Sequence, residues 1–237
     1  MEEMTILEMQ RQMSTGALTA QRLAQSYLDR IEKETDRLSE LISNLLKIAR
    51  IEDGLEGASM EEIHLDSLVR EVAEDADFEA RARDRRVVVQ ETQPCRLRGS
   101  WELLRSATEN IVRNAVNYTK DGTEVQVWLE ISSKNSNGKF ASIRVRDQGP
   151  GLPEEELANI FQPFYRVGDA RDRSSGGTGL GLAIAERAIA LHGGQVSAKN
   201  VTNGGLEVEI ILPLADIGTG ADGQFNPPES NATMSAG

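Results

Sequence analysis

Cysteine is nearly absent from this chain: Cys95 stands alone among 237 residues. A single thiol excludes an intramolecular disulfide and any zinc site built on cysteines, and Cys95 reads as a small half-buried side chain. Histidine is scarce too, with only His64 and His192. No stretch approaches the ~20 consecutive apolar residues of a membrane helix. The start, Met1-Glu2-Glu3, is acidic and unlike a secretory signal. A cytoplasmic chain without membrane contact is therefore expected. Basic residues are outnumbered, 26 Lys and Arg against 38 Asp and Glu, which leaves a net charge of −12. Such a chain repels nucleic acid and anionic membranes at long range. No nucleic-acid partner is expected, and a site for any polyanion has to be built locally. What is present, 39% hydrophobic and 27% charged residues, suits a globular protein of one well-buried domain plus a smaller element, or two small domains.

Residues 1–22 are mixed, with a break at Ser14-Thr15-Gly16. A long helical pattern follows over 23–57. Ala24, Leu28, Ile31, Thr35, Leu38, Ile42, Leu45 and Ala49 alternate steps of four and three, a heptad seam. The other faces are charged. The pattern fits a helix packed on its own domain or one helix of a dimeric bundle, and the length and strictness of the seam favour the bundle. Asp53-Gly54 ends the helix. A domain is expected over 58–214. Leu65 to Arg83 reads as a helix, Val87–Val89 and Arg96–Arg98 as short strands, and Trp101 to Tyr118 as a helix capped by Ser100. Val125, Val127, Leu129 and Ile131 mark one strand face, and Ala141, Ile143, Val145 and Asp147 the next. Pro153 to Ile160 reads as a short helix, 166–178 as a polar loop, and Gly179 to Leu191 as a helix. A hairpin over Val196–Lys199 and Leu206–Leu212 closes the domain, and residues 215–237 read as a disordered tail. The order predicts an α+β fold with helices layered on one face of a mixed sheet.

Three clusters carry chemistry. Asn110 and Asn114 are four apart, so both amides share one helix face. Asn is a poor helix former, so a pair of them needs a reason, and their neutral carbonyls suit a hard cation shared with phosphate oxygens. Asp147-Gln148-Gly149-Pro150-Gly151 ends a strand with an inward carboxylate, which is costly unless paired. An ionised Asp only accepts hydrogen bonds, so the exocyclic amine of adenine is a natural partner, and Gly149 and Gly151 let backbone approach a flat ring. Gly176-Gly177-Thr178-Gly179-Leu180-Gly181-Leu182 is a glycine-rich loop opening a helix, which offers free amides to phosphate. No Gly-Lys-Ser/Thr follows, so it is not a Walker loop. Arg166, Arg171 and Arg173 just upstream read as a basic lid over anionic groups. Taken singly, each cluster has an ordinary reading as surface asparagines, an Asp-Gly turn or a solvated loop.

Together, Glu109-Asn110-Ile111-Val112-Arg113-Asn114-Ala115, Asp147 to Gly151, Ile160-Phe161-Gln162-Pro163-Phe164-Tyr165-Arg166 and Gly177 to Leu182 resemble the ATP-binding domain of sensor histidine kinases. They look like that family's N, first glycine, F and second glycine boxes, in order. The resemblance covers about residues 26–214. It implies a Bergerat-type ATP-binding α/β sandwich preceded by a heptad helix from a dimerisation hairpin. It also implies ATP and Mg²⁺ as cofactors, with Asn110 and Asn114 holding the metal. Asn110, Asn114 and Arg166 are then the catalytic set. Tyr118, Asp147, Gly149, Gly151, Gly177, Thr178, Gly179, Leu180, Gly181 and Leu182 complete the nucleotide site. Expected partners are a response-regulator receiver domain or an intact kinase chain, and a second copy of this chain.

The sequence departs from the family pattern in two respects that matter for function, the acceptor histidine and the nucleotide affinity expected at Asn117. Relatives carry a phosphoacceptor histidine on the first hairpin helix, whereas His64 precedes a helix and His192 sits at a helix end before Gly193-Gly194. The acceptor is therefore expected on another chain. Asn117 stands where relatives often carry Lys or Arg. The stretch from Thr5 to Ile31 is similar to the N-terminal helices of amidase-signature enzymes, but no amidase core follows and no amidase activity is expected. Hydrolytic ATPases of the same fold place a water-activating Glu four residues before the metal Asn. Here that position is Asn110, and Glu109 faces about 100° away. Transfer to a histidine is thus favoured over hydrolysis, with a non-enzymatic nucleotide-binding dimerisation module as the third possibility.

Overall fold

In the computed structural model, residues 6–16, 19–52, 59–133, 138–166, 178–202 and 204–214 are described. Two helices come first, α1 (Ile6–Ser14) and the 33-residue α2 (Ala20–Glu52). The domain that follows runs β1 (Glu61–His64), α3 (Leu65–Arg81), β2 (Arg86–Thr92), β3 (Arg96–Gly99), α4 (Trp101–Tyr118), β4 (Glu124–Ser133), β5 (Lys139–Arg146), α5 (Gly181–Leu191), β6 (Gln195–Asn200) and β7 (Leu206–Leu214). Between β5 and α5, the expected helix over Pro153–Ile160 is instead two 3₁₀ turns, Glu154–Glu156 and Asn159–Phe161. Only Ile160 and Phe161 of these two turns are buried, too narrow an apolar face to extend either into an α-helix.

The main sheet has strand order β2-β4-β5-β7-β6. β2 pairs parallel to β4, and all other pairs are antiparallel. The alternation along each strand puts its apolar residues in rows across the sheet. Val89, Val127, Val145, Val208 and Ala198 lie side by side on the five strands. Leu129, Ile143, Ile210 and Val196 form the next row. β1 and β3 form a separate antiparallel pair. The strands around Gln93-Pro94 therefore do not pair with each other.

Helices α3, α4 and α5 bury the apolar face of the sheet, with Leu68, Leu104, Ile111, Ile184 and Ile189 among the fully enclosed side chains. Each such side chain contributes roughly 1.5–3 kcal/mol of transfer free energy. Two polar contacts fix the helices in register. Asp77 on α3 accepts from Arg81, Arg86 and the Val87 N–H, the last at 2.9 Å, which ties α3 to the start of β2. Burial raises this carboxyl, but hydrogen bonds from Arg86, Val87 and Arg81 outweigh it and hold Asp77 at about 2. His192, at the C-terminus of α5, accepts the Ser100 N–H through Nε2 at 3.0 Å and donates from Nδ1 to the Ala188 carbonyl at 2.7 Å. The ring is thereby neutral, and burial lowers its pKa. Gly99 makes room for it, since a Cβ there would lie 2.8 Å from the imidazole.

α2 packs on the domain through α5. The residues that bury are Ile48 and Ile51, with Leu41 partly covered. The heptad seam lies elsewhere on the helix: Leu28, Ile31, Leu38, Ile42 and Leu45 are all exposed, Ile31 by 61%.

Candidate nucleotide site

A cavity of about 310 Å³ opens between α4, the β5–β7 end of the sheet and the first turn of α5. Its longest wall is α4. Asn110, Arg113, Asn114 and Asn117 follow one helical stripe at spacings of three and four, with Tyr118 beside it. The opposite face of α4, from Leu104 through Ile111 to Ala115, is buried against the sheet, which fixes the polar stripe toward the cavity. α4 starts cleanly because Ser100 Oγ accepts the Leu103 N–H. Its last turn has no basic residue of its own, so Arg85 supplies one, donating to the Val116 and Asn117 carbonyls at 2.6 and 3.1 Å.

The cavity has two poles. Asp147, 4% exposed, lies beside the end of α4 and below Tyr118. Its Oδ1 accepts the N–H groups of Gly149 at 2.7 Å and Leu206 at 3.2 Å. Its other oxygen has no partner among the described residues. Burial pushes the carboxyl above its ordinary range, against the two backbone donors that lower it. Gly149 is needed beneath it, because a Cβ would stand 2.6 Å from the Tyr118 carbonyl oxygen. Gly151 and Leu152 continue the wall and are clamped by Asn200, whose amide bonds both the N–H and the carbonyl of Leu152.

The other pole is the start of α5. Leu180 occupies its N-cap without a side-chain cap, so among the described residues no side chain takes the first amides of the helix, which suit an anion. Gly181 sits so close to Asn110 that a Cβ would lie 3.0 Å from its Oδ1. Neither Asn110 nor Asn114 makes a side-chain hydrogen bond among the described residues, so both carbonyl oxygens are uncommitted. Asn110 and Tyr118 mark the two poles along α4, eight residues or about 12 Å apart.

Of the residues singled out from the sequence, Asn110, Asn114, Tyr118, Asp147, Gly151, Arg166, Thr178, Gly179, Gly181 and Leu182 line this cavity. Gly149 lies behind Asp147 as support. Leu180 does not reach the cavity; it is fully buried, an anchor for α5. Gly177, Arg171 and Arg173 lie outside the described residues. Phe164 and Gly179 flank that stretch, with φ of 65° and 73°, and are joined by a Phe164 N–H to Gly179 carbonyl bond of 2.8 Å. Glu109 turns away from the cavity and pairs with Arg105 at 2.6 Å. Lining residues the sequence did not assign to the site include Asn44 of α2, Arg113, Leu152 and Tyr165, and Asn200 supports the wall through Leu152. Arg113 was within reach, three residues after Asn110 on the same stripe.

The donor set bears on a metal. Among the described residues no group of three or more His, Cys, Asp or Glu could cage an ion. Two neutral amide oxygens suit Mg²⁺, which keeps few protein ligands and completes its shell with phosphate oxygens and water.

Known proteins resemble this chain in sequence and fold. Residues 99–216 match the family described as "Histidine kinase-, DNA gyrase B-, and HSP90-like ATPase". The chain is 40% identical over 204 residues to the sensor histidine kinase CpxA of Escherichia coli (strain K12), covering 86% of this chain and 43% of that protein. It is 28% identical over 212 residues to the sensor protein kinase WalK of Staphylococcus epidermidis, covering 86% and 33%. The chain thus spans less than half the length of these relatives. Among solved structures, full-length ShkA in complex with AMPPNP superposes with a TM-score of 0.65 at 26% identity, covering 83% of this chain and 39% of that one. The mycobacterial sensor histidine kinase MprB superposes with a TM-score of 0.54 at 28% identity, covering 65% and 97%.

Proposed function

Because this chain carries a histidine-kinase-type ATP-binding domain of the histidine kinase-, DNA gyrase B- and HSP90-like ATPase family, we propose that it binds Mg²⁺-ATP across the two poles of the cavity and donates the γ-phosphoryl to a histidine other than His64 and His192. The observation that carries the reading is the pairing of an acceptor-only carboxylate at one end with uncommitted amides and a free helix start at the other. Asp147 receives the adenine amine, and Tyr118 and Leu152 flank the base. The first amides of α5, with Arg113 and Arg166, receive the phosphates. Asn110 and Asn114 would hold Mg²⁺, which neutralises phosphate charge when bound. Catalysis of this kind needs positioning more than covalent help.

Two observations favour transfer to a histidine other than His64 and His192 over hydrolysis. Glu109 is committed to Arg105, and no Glu lines the cavity among the described residues. Neither histidine lines the cavity, and both ring nitrogens of His192 are engaged. The exposed seam of α2 suits a second copy of this chain or the bundle of an intact kinase, and a receiver domain would take the phosphoryl next. The test is titration of a fluorescent ATP analogue with and without Mg²⁺, on wild type and Asn114→Ala. Saturable binding that requires Mg²⁺ and is lost in the variant supports the site. Equal affinity in both proteins refutes the assigned role of Asn114.

A further inference from the structure

Asn44 belongs to α2, outside the ATP domain, yet it lines the cavity. On α2, Leu41, Asn44, Ile48 and Ile51 follow spacings of three, four and three, a single stripe. Its apolar members bury against the domain, Ile48 and Ile51 to 9% and 5% exposure. Asn44 is the polar interruption, at the point where the stripe meets the cavity. Packing alone calls for an apolar residue there, and Asn is a costly choice inside a helix. The amide is half-buried and makes no hydrogen bond among the described residues.

The end of the cavity it faces follows from the packing. α2 rests on α5, and α5 contributes only Gly181 and Leu182, its first turn, to the cavity wall. Asn44 therefore shares the phosphate pole. A carboxamide offers two N–H donors there without adding negative charge.

Resting on the reading of the cavity as an ATP site, we propose that Asn44 contacts the γ-phosphoryl group. α2 thereby discriminates ATP from ADP, and nucleotide occupancy is linked to docking of α2 on α5. Linkage is reciprocal: whatever factor docked α2 adds to ATP affinity, ATP adds to the docking equilibrium. The phosphoryl end is covered while α2 is docked, so transfer requires α2 to swing aside or the acceptor to approach past it.

The experiment uses the full 237-residue chain. Affinities for ATP and ADP, each with Mg²⁺, are measured for wild type, Asn44→Ala, Asn44→Asp and Ile42→Ala. Asn44→Ala is expected to weaken ATP about tenfold and ADP less than about threefold. Asn44→Asp weakens ATP further, through like charge. Ile42→Ala, on the exposed seam, leaves both affinities unchanged. In parallel, AMPPNP is expected to slow amide exchange across residues 41–52 in wild type and not in Asn44→Ala. An unchanged ATP-to-ADP ratio in both Asn44 variants, or equal losses for both nucleotides, overturns the proposal and leaves the ATP site standing. Failure of wild type to bind ATP removes both.

Discussion

Replacing Asp147 by Asn changes one atom at the base pole, and the geometry says which one. Oδ1 accepts two backbone N–H groups, from Gly149 at 2.7 Å and Leu206 at 3.2 Å. An asparagine keeps its carbonyl oxygen on those donors, because turning the amide would set N–H against N–H. The fold is therefore preserved, and the new NH₂ takes the place of the open carboxylate oxygen. A donor then faces the adenine amine, itself a donor. Losing the acceptor in a buried site costs about 1–3 kcal/mol, or roughly a 5- to 150-fold rise in Kd. Titration of a fluorescent ATP analogue with Mg²⁺ reads this directly, and thermal unfolding without nucleotide checks that stability is unmoved. Wild-type binding should also weaken on acidification at a higher pH than an ordinary Asp would dictate. Burial raises this carboxyl, and its proton occupies the acceptor. Unchanged affinity in Asp147→Asn, with saturable Mg²⁺-dependent binding retained, would refute the assignment of the base pole.

Two further expectations concern stability. Asp77 titrates at about 2 in the folded chain against 3.8 ordinarily, so its contribution is complete above about pH 4 and is lost as pH falls through about 2. Asp77→Asn should cost on the order of 1–2 kcal/mol at neutral pH, its exposed arginine partners being partly screened. Acid denaturation should then show a shallower slope between pH 4 and 2; an identical slope in the two proteins would rule this out. His192 is held neutral, with its pKa below 6.5, so stability is constant above about pH 6.5 and falls as acid protonates Nε2 and displaces the Ser100 N–H. His192→Gln should remove that slope in urea unfolding between pH 5 and 8, and an unaltered slope would assign the sensitivity elsewhere.

Much of the fold was legible because local pattern and tertiary need agree. α4 begins and ends where Ser100 and Tyr118 suggest, and its polar stripe carries the two asparagines that stood out as poor helix formers. The inward alternation that ends on Asp147 is the same alternation that buries Ile143 and Val145. Other features depend on partners that no local pattern encodes. Alternation in β2 gives its buried face but not its parallel pairing with β4. β1 carries a single buried apolar residue, Ile63, too little to register as a strand. On α2 two stripes compete: the regular seam is exposed, and the shorter one through Leu41, Ile48 and Ile51 buries because α5 is there to meet it. Asn44 was invisible for that reason. Leu180 stands in the glycine motif, and its buried side chain anchors the start of α5 in the core.

The double tether between Asp147 and Leu206 also has a bearing on how the protein folds. Backbone and side chain of Asp147 both bond a residue 59 positions downstream. Contacts of such separation close late, after the loop entropy between them has been offset by other pairings. The base pole therefore does not exist in any intermediate that lacks β7, and a chain emerging from the ribosome gains it only once residue 206 and the strand behind it are free to dock. Nucleotide can favour the finished domain but has nothing to grip in a partly folded one. It should slow unfolding, leave the early folding steps untouched, and give no protection to a fragment that ends before β7.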